Sequence, residues 1–478
     1  MPNRNVLLLV VICFTCLAAY AAREQSAAGR RFGEVLSLID ASYLERVDHE
    51  QLLDAAVDAA MSELDEHSAY VRGDGRVELE AALDQKFGGV GLELTIDEAT
   101  REPIVASPVV DSPAWRAGIW AGDRIETIDG EPTAGVLLRE IVGRLRGTVG
   151  DKVVVGIARP AASWPPTLDP GAEVRDDVDR RDITLVREVI KTESVLGDRR
   201  LPDGSWDWMI EGAPGIAMVR MTTFGERTAA ELAAAAAAIT ATGAIRGLVL
   251  DLRGNPGGLL SAAVEVCDQF LDEGVIVHTR GRPVSGSSAD GASLDTRRAS
   301  PGGILPGVPV MVLVDGLTAS AAEIVAGCLQ DSGRATIVGS RTYGKGTVQA
   351  ILPLSDDRGL LKLTTSEYLR PSRVTIHRRS DDDDGHAWGV APEIGYEVAP
   401  SAEAIARLNT WRRFRDAAGP VSVGGGLPPA PRGLPREIDP VVARALSGLS
   451  DPVTAVDPDL GSEEETPRDD DHSPRPAA

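Results

Sequence analysis

The chain has 478 residues, enough for two or three domains. Hydrophobic residues make up 43 % and charged residues 25 %, the composition of a soluble globular protein, and with only 4 % aromatics its cores must be built from Ala, Val, Leu and Ile. The formal net charge of −23 argues against nucleic-acid binding, which needs a basic footprint, and the runs Asp381 to Asp384 and Glu463 to Glu465 read as solvated loops or tails.

Residues 1–22 carry Arg4 ahead of the apolar run Val6 to Ala19, with small residues at Ala18, Ala19, Ala21 and Ala22. This is the pattern of a secretory signal peptide with an Ala-Tyr-Ala type cleavage site, or of a membrane anchor if it is retained. The run is short for a spanning helix. The expected location is the cell envelope, periplasmic or otherwise extracytoplasmic, with the chain secreted or tethered. No small-residue lipobox precedes Cys13 or Cys16. Beyond them stand only Cys267 and Cys328, which suit core packing rather than a disulfide framework or a metal site.

Residues 23–85 form a helical domain: Phe32, Val35, Leu36 and Ile39, then Leu52, Leu53, Ala56, Val57, Ala60 and Leu64, recur at helical spacing. Residues 86–160 change character. Gly88, Gly89 and Gly91 precede short strands expected at Ile104 to Ala106, Arg124 to Ile128 and Lys152 to Ile157, with one helix over about 135–146. Residues 161–214, rich in Pro and Asp at first, read as a linker and the start of the next domain. Over 215–400 strands and helices alternate: strands at 216–221, 247–252, 275–279, 308–314, 336–339, 348–354 and 360–368, and helices at 228–241, 259–271 and 320–330. That order predicts an α/β core with helices covering a largely parallel sheet. Residues 281–307 read as a mobile loop. Residues 401–449 hold a Gly/Pro linker and a helix from Pro440 to Leu449, and residues 450–478 form an acidic, Pro-rich disordered tail.

Three segments carry chemistry. Asp251-Leu-Arg-Gly-Asn-Pro-Gly-Gly258 follows a buried strand and opens a helix. Glycines there turn the backbone sharply and leave N–H groups suited to an anion, either a phosphate or the oxyanion of an acyl-transfer intermediate, though a plain strand-to-helix turn has the same pattern. In Asp315-Gly-Leu-Thr-Ala-Ser320-Ala-Ala-Glu323 a serine stands at a strand-helix junction. It fits an ordinary N-cap, or a nucleophile whose neighbour Ala321 offers its N–H to an oxyanion. In Thr342-Tyr-Gly-Lys345-Gly-Thr-Val-Gln349 a lysine stands between two glycines before an apolar strand. It fits a solvated turn lysine, or a general base if its surroundings favour the neutral amine, with Gln349 as a hydrogen-bond partner. None of the six histidines sits in a comparable setting, so Ser320 with Lys345 is the better candidate pair.

In their order and spacing these segments resemble the carboxyl-terminal processing proteases, or tail-specific proteases, of the S41 peptidase class. The resemblance runs from about residue 32 to 400. It also takes in Leu64-Asp-Glu-His-Ser-Ala-Tyr70, Phe87-Gly-Gly-Val-Gly-Leu92 at the entry to a PDZ domain, and Gly389-Val-Ala-Pro-Glu393. It implies a ClpP/crotonase-like α/β protease core with an inserted PDZ domain and an N-terminal helical domain. It makes Ser320 the nucleophile, Lys345 the general base and Gln349 the residue orienting the lysine. Ala321 and one glycine of the pair Gly257 and Gly258 become the oxyanion donors. Backbone around Val90, Gly91, Leu92, Glu93 and Leu94 would bind a peptide C-terminus, with helix residues 138–145 lining the pocket. Thr318, Ala322, Tyr343 and Glu393 depart from the residues usual in the family. No cofactor or metal is expected. The expected partners are protein or peptide substrates with free C-termini, with a homo-oligomer or an activating adaptor as further candidates. Two other readings share these features: a catalytically silent envelope PDZ scaffold, and a crotonase-like acyl-CoA enzyme.

Overall fold

The computed structural model describes residues 27–73, 75–76, 85–96, 101–160, 178–201, 203–282, 293–354, 359–378, 388–416 and 434–450. The leader-like segment, the Asp381 to Asp384 run and the acidic tail lie outside the described residues. The chain divides into two compact units, one of Met1–Arg76 with Gln349–Thr364 and the other of Val77–Val348 with Thr365–Ala478.

In the first unit, helices Ala27–Ser42 and His49–Ser62 occupy the segment where apolar residues recur at helical spacing. The second helix starts where the Asp48 carboxylate accepts the N–H of Glu50 at 2.9 Å. Asp65 closes the following turn by accepting the N–H groups of His67 and Ser68. Strand Ala69–Arg72 then pairs antiparallel with Gly359–Lys362. The start of the strand expected at 360–368 therefore belongs to this unit and not to the parallel core.

The second unit begins with an antiparallel sheet in the order Leu92–Ile96, Pro103–Pro108, Arg124–Ile128, Lys152–Pro160, Val178–Val186. Ile125, Ile128, Val153 and Val155 face Ile141 and Leu145 of helix Leu138–Leu145 in its core. The sheet runs past the boundary expected at residue 160. Val178–Val186 pairs along its whole length with Lys152–Pro160, and Glu188–Lys191 pairs with Lys86–Gly89. The polar, proline-rich composition of 161–177 masked this return strand. Leu92–Ile96 stands at the end of the strand order, so among the described residues one edge of it has no neighbouring strand.

The rest of the second unit is built on four parallel strands, Ile216–Met221, Gly247–Asp251, Val310–Val314 and Ala335–Gly339, with Val195–Leu196 antiparallel at the edge. These strands are nearly all apolar because both faces are covered. Alternate residues such as Ala217, Val219, Leu248 and Leu250 pack against helices Thr228–Ala241, Leu260–Phe270 and Ala321–Asp331. The others, including Met218, Val249 and Leu313, pack against Val441, Val442 and Ala445 of helix Pro440–Ser450. Cys267 and Cys328 are free and buried in the first of these clusters. Of the segment expected as a mobile loop, residues 283–292 lie outside the described residues. Ser293–Arg298 forms a strand antiparallel to Val275–Gly281, which in turn pairs with Ser366–Leu369.

Leu250 is fully buried on a central strand. Leu250→Ala should lower unfolding free energy by about 2–5 kcal/mol, read from urea denaturation followed by circular dichroism.

Candidate active site

Parallel strands deliver their loops to one end of the sheet. Two adjacent strands, Gly247–Asp251 and Val310–Val314, end here in the Asp251 to Gly258 turn and the Asp315 to Ser320 loop. The two loops are fastened to each other. The Gly254 N–H donates to Asp315 Oδ1 at 2.9 Å, the Thr318 hydroxyl to the Leu252 carbonyl at 2.9 Å, and the Ala319 N–H to the Asn255 carbonyl at 2.9 Å. The threonine that departs from the family pattern thus serves as a strut.

Ser320 is nine-tenths buried and has φ +56° and ψ −118°. This is left-handed backbone that a non-glycine residue adopts at a cost of about 1–3 kcal/mol. Its hydroxyl makes no cap bond to the helix that follows, so the ordinary N-cap role does not apply. A serine on such a turn between strand and helix presents its Oγ outward, as a nucleophile must. Gly257 makes the turn possible. With φ +97°, a Cβ there would lie 2.8 Å from Ser320 Cβ and 2.9 Å from the Ala321 nitrogen. Gly258 is as constrained, since its Cβ would meet the Phe224 carbonyl oxygen at 2.1 Å.

The two glycines differ as donors. The Gly257 N–H already donates to Asn255 Oδ1 at 2.8 Å. The N–H groups of Gly258 and Ala321 have no acceptor among the described residues. Of the pair from which one oxyanion donor is expected, Gly258 has the N–H without an acceptor among the described residues.

Lys345 is half-buried, and its backbone is held by the same group that holds Ser320. Glu323 is fully buried and its carboxylate accepts four hydrogen bonds. Oε2 takes the N–H of Ser320 and of Lys345, each at 2.8 Å, while Oε1 takes the Gly344 N–H at 2.7 Å and the Thr342 hydroxyl at 2.6 Å. Serine and lysine thus hang from one oxygen atom. Burial raises the carboxyl above its ordinary value, against the four donors that pull it down. Gly346 follows because His377 packs backbone to backbone against it, where a Cβ would lie 2.3 Å from the His377 nitrogen. Gln349 belongs to the first unit, where its amide donates to Thr364 Oγ1 at 3.2 Å.

On the antiparallel sheet, Phe87, Gly89, Val90, Gly91, Leu92, Val142, Leu145 and Arg146 line one pocket. It lies where the peptide-binding residues were expected, with Val142 and Leu145 from the expected helix. The entry turn is fixed by its carbonyls: Val90 accepts the Ala114 N–H at 3.0 Å and Gly91 accepts the Val109 N–H at 3.0 Å. Glu93 and Leu94 continue along the open edge strand. Arg146 was not anticipated. Its guanidinium lies 5.0 Å from the Phe87 ring centroid, and its buried Nε has no partner among the described residues. Its position immediately after a helix that lines a pocket is a signal the sequence does carry. Glu323 and Thr342 were quoted in their segments without a role. An acidic residue inside the otherwise apolar helix 321–329 was the available clue.

The Asp251 to Gly258 turn is braced from behind. Arg253 bridges Asp251, at 2.7 and 2.9 Å, and Asp439, at 2.7 and 3.0 Å. Asp439 also accepts the Val441 N–H at 3.1 Å and so starts the last helix.

The serine turn, the adjacent glycine N–H groups and the lysine loop tied to them are the parts a serine-type peptidase needs. Comparison with known proteins agrees. The model of peptidase family S41 matches residues 215–395, and a PDZ domain model matches 104–159. A carboxy-terminal-processing protease of Bartonella bacilliformis is 36 % identical over 370 residues, covering 77 % of this chain and 74 % of that protein. The carboxy-terminal processing protease CtpB of Bacillus subtilis is 30 % identical over 368 residues, 76 % of this chain and 68 % of that protein. Among solved structures, a photosystem II D1 C-terminal processing protease is 26 % identical with a TM-score of 0.42, over 83 % of this chain and 100 % of that one. The chain belongs to peptidase family S41 and carries a PDZ domain.

Two predictions concern the scaffold. In Glu323→Gln an amide N–H₂ would face N–H donors, so the variant should lose about 3 kcal/mol of stability and most peptidase activity, read by denaturant titration and substrate turnover. Asp251 is pushed up by burial but held below its ordinary value overall by Arg253 and Arg412. The unfolded chain therefore takes up this proton first as pH falls. The stability Asp251 confers is present above the ordinary carboxylate range and is lost as pH drops through the folded value. The stability gap between wild type and Asp251→Asn should shrink below about pH 4, measured by thermal unfolding across pH.

Proposed function

We propose that this S41 peptidase is an endopeptidase of the cell envelope that uses Ser320 as nucleophile and Lys345 as general base, on proteins recognised by their C-terminal tails through the PDZ domain. The observation that carries the reading is the Glu323 carboxylate, which holds the Ser320 and Lys345 backbones on one oxygen while Ser320 is kept in a strained turn. In this reading Ser320 Oγ attacks the scissile carbonyl as neutral Lys345 takes its proton. The N–H groups of Ala321 and Gly258 receive the oxyanion, and Lys345 then activates the water that releases the acyl group. The role of Gln349 in orienting the lysine rests on the family resemblance. The location rests on the signal-like segment 1–22.

Tail recognition rests on the open edge of Leu92–Ile96, where an extended peptide would add a strand, and on the pocket at its start. A terminal carboxylate there would meet backbone N–H groups of the entry turn and the unpartnered Arg146 Nε.

Ser320→Ala and Lys345→Ala should each abolish cleavage of an unfolded, C-terminally tagged protein while leaving the fold intact. Substantial turnover by either purified variant removes the dyad, and failure of the wild type to react with a serine-directed probe favours a silent scaffold. Amidating the substrate's C-terminus, or Arg146→Ala, should raise KM about tenfold, the worth of one charge-assisted hydrogen bond. An unchanged KM in both cases removes tail recognition.

A further inference from the structure

The Gly258 N–H shares one planar trans peptide group with the Gly257 carbonyl. The two point in opposite directions, so whatever fixes the carbonyl also aims the N–H. That carbonyl accepts two hydrogen bonds from one short stretch of chain. The Phe224 N–H donates to it at 3.0 Å and the Thr223 hydroxyl at 3.0 Å. The peptide groups on either side are held as well. The Gly257 N–H donates to Asn255 Oδ1 at 2.8 Å, and the Leu259 N–H to the Phe224 carbonyl at 2.7 Å. Phe224 is buried in the same core cluster as Ala321 and Ala322, so its backbone offers the glycines a fixed edge. Thr223 is half-buried and stands two residues past strand Ile216–Met221.

We propose that Thr223 is a positioning residue for the oxyanion donor: its hydroxyl, together with the Phe224 N–H, locks the Gly257–Gly258 peptide group so that the Gly258 N–H is presented to the reacting carbonyl oxygen. The proposal rests on the reading of Ser320 as nucleophile, Lys345 as base and the Gly258 N–H as an oxyanion donor. Between two glycines no Cβ restrains a peptide group. Rotation of this one would put the Gly257 carbonyl where the Gly258 N–H had been, and a carbonyl dipole there repels an oxyanion. Two donors on the carbonyl's two lone pairs make that rotation cost two hydrogen bonds. Donation to the carbonyl also polarises the peptide group and strengthens its N–H as a donor. In the reaction Ser320 Oγ bonds to the scissile carbonyl carbon, the serine proton passes to the Lys345 amine, and the carbonyl π pair moves onto the oxygen that the Gly258 and Ala321 N–H groups receive. Thr223 exchanges no proton and acts through Gly258. Its effect therefore falls on the step that builds charge on that oxygen, not on substrate binding.

The test uses the full chain with Thr223→Val, which keeps the β-branched shape and removes the hydroxyl, and with Thr223→Ser, which keeps the hydroxyl. The Gly257 carbonyl retains the Phe224 N–H in both, so neither variant leaves it unsatisfied. Three quantities are read: kcat and KM on an unfolded protein substrate, the rate of labelling by a fluorophosphonate probe, and the thermal midpoint. The probe's phosphoryl oxygen takes the oxyanion's place without a peptide tail, so labelling reads the donors apart from substrate binding. For Thr223→Val the expected result is a fall of about tenfold in kcat and in labelling rate, the worth of one hydrogen bond, with KM and midpoint unchanged. Thr223→Ser should recover both rates to within about twofold of wild type, since the donor is restored. Unchanged kcat and labelling in Thr223→Val overturn the proposal. A raised KM with kcat kept also overturns it, by making Thr223 a substrate contact. A fall that follows a lowered midpoint, or one that Thr223→Ser does not repair, assigns the residue to packing and overturns it too. Failure of the underlying reading is separate: it would appear as retained cleavage and labelling in Ser320→Ala.

Discussion

One buried carboxylate fastens the serine turn to the lysine loop. Glu323 lies in the first turn of a helix whose neighbours are all apolar, and its four hydrogen bonds come from the serine turn and the lysine loop. These four donors are three backbone N–H groups and one hydroxyl. An acidic group taken out of water is costly unless donors replace its hydration, and here four donors converge on two oxygens. The arrangement is therefore close to all-or-none: loss of one donor leaves the rest of a buried charge under-solvated. That makes the spacing between the two loops a fixed property of the scaffold.

The strain at Ser320 is sustained by the same logic. The positive φ is supported on one side by a glycine that alone leaves room for it and on the other by the bond to Glu323. The Asn255 side chain links the turn to strand Ile216–Met221 through the Met221 carbonyl at 2.8 Å. The turn is thus fixed on three sides.

Much of this was legible in the residues. Strands buried on both faces wrote themselves as unbroken apolar runs, so the parallel core was placed to within a few residues. Glycines at 257, 258, 344 and 346 marked close backbone approaches. Other features were hidden for physical reasons. Strand Val178–Val186 has an alternating, heavily charged face, and a proline-rich stretch separates it from the sheet it completes. Ser293–Arg298 is exposed except at the half-buried Thr296 and owes its order to pairing with Val275–Gly281. The positions of Glu323 and Arg146 stand out locally, but the groups they meet are brought in by tertiary structure. The choice between Gly257 and Gly258 turned on a side chain, Asn255, whose direction only the folded turn reveals.

The brace between Arg253 and Asp439 has a temporal side. The two residues are 186 positions apart, and Asp439 lies at the start of the last helix. During synthesis the strands, the serine turn and the lysine loop all emerge before this counter-charge does. Until residue 439 has been made and docked, Arg253 sits behind the Asp251 to Gly258 turn with one of its two carboxylates missing, and the face of the sheet that receives Val441 and Val442 is uncovered. The support beneath that turn is complete only once Asp439 has emerged and docked.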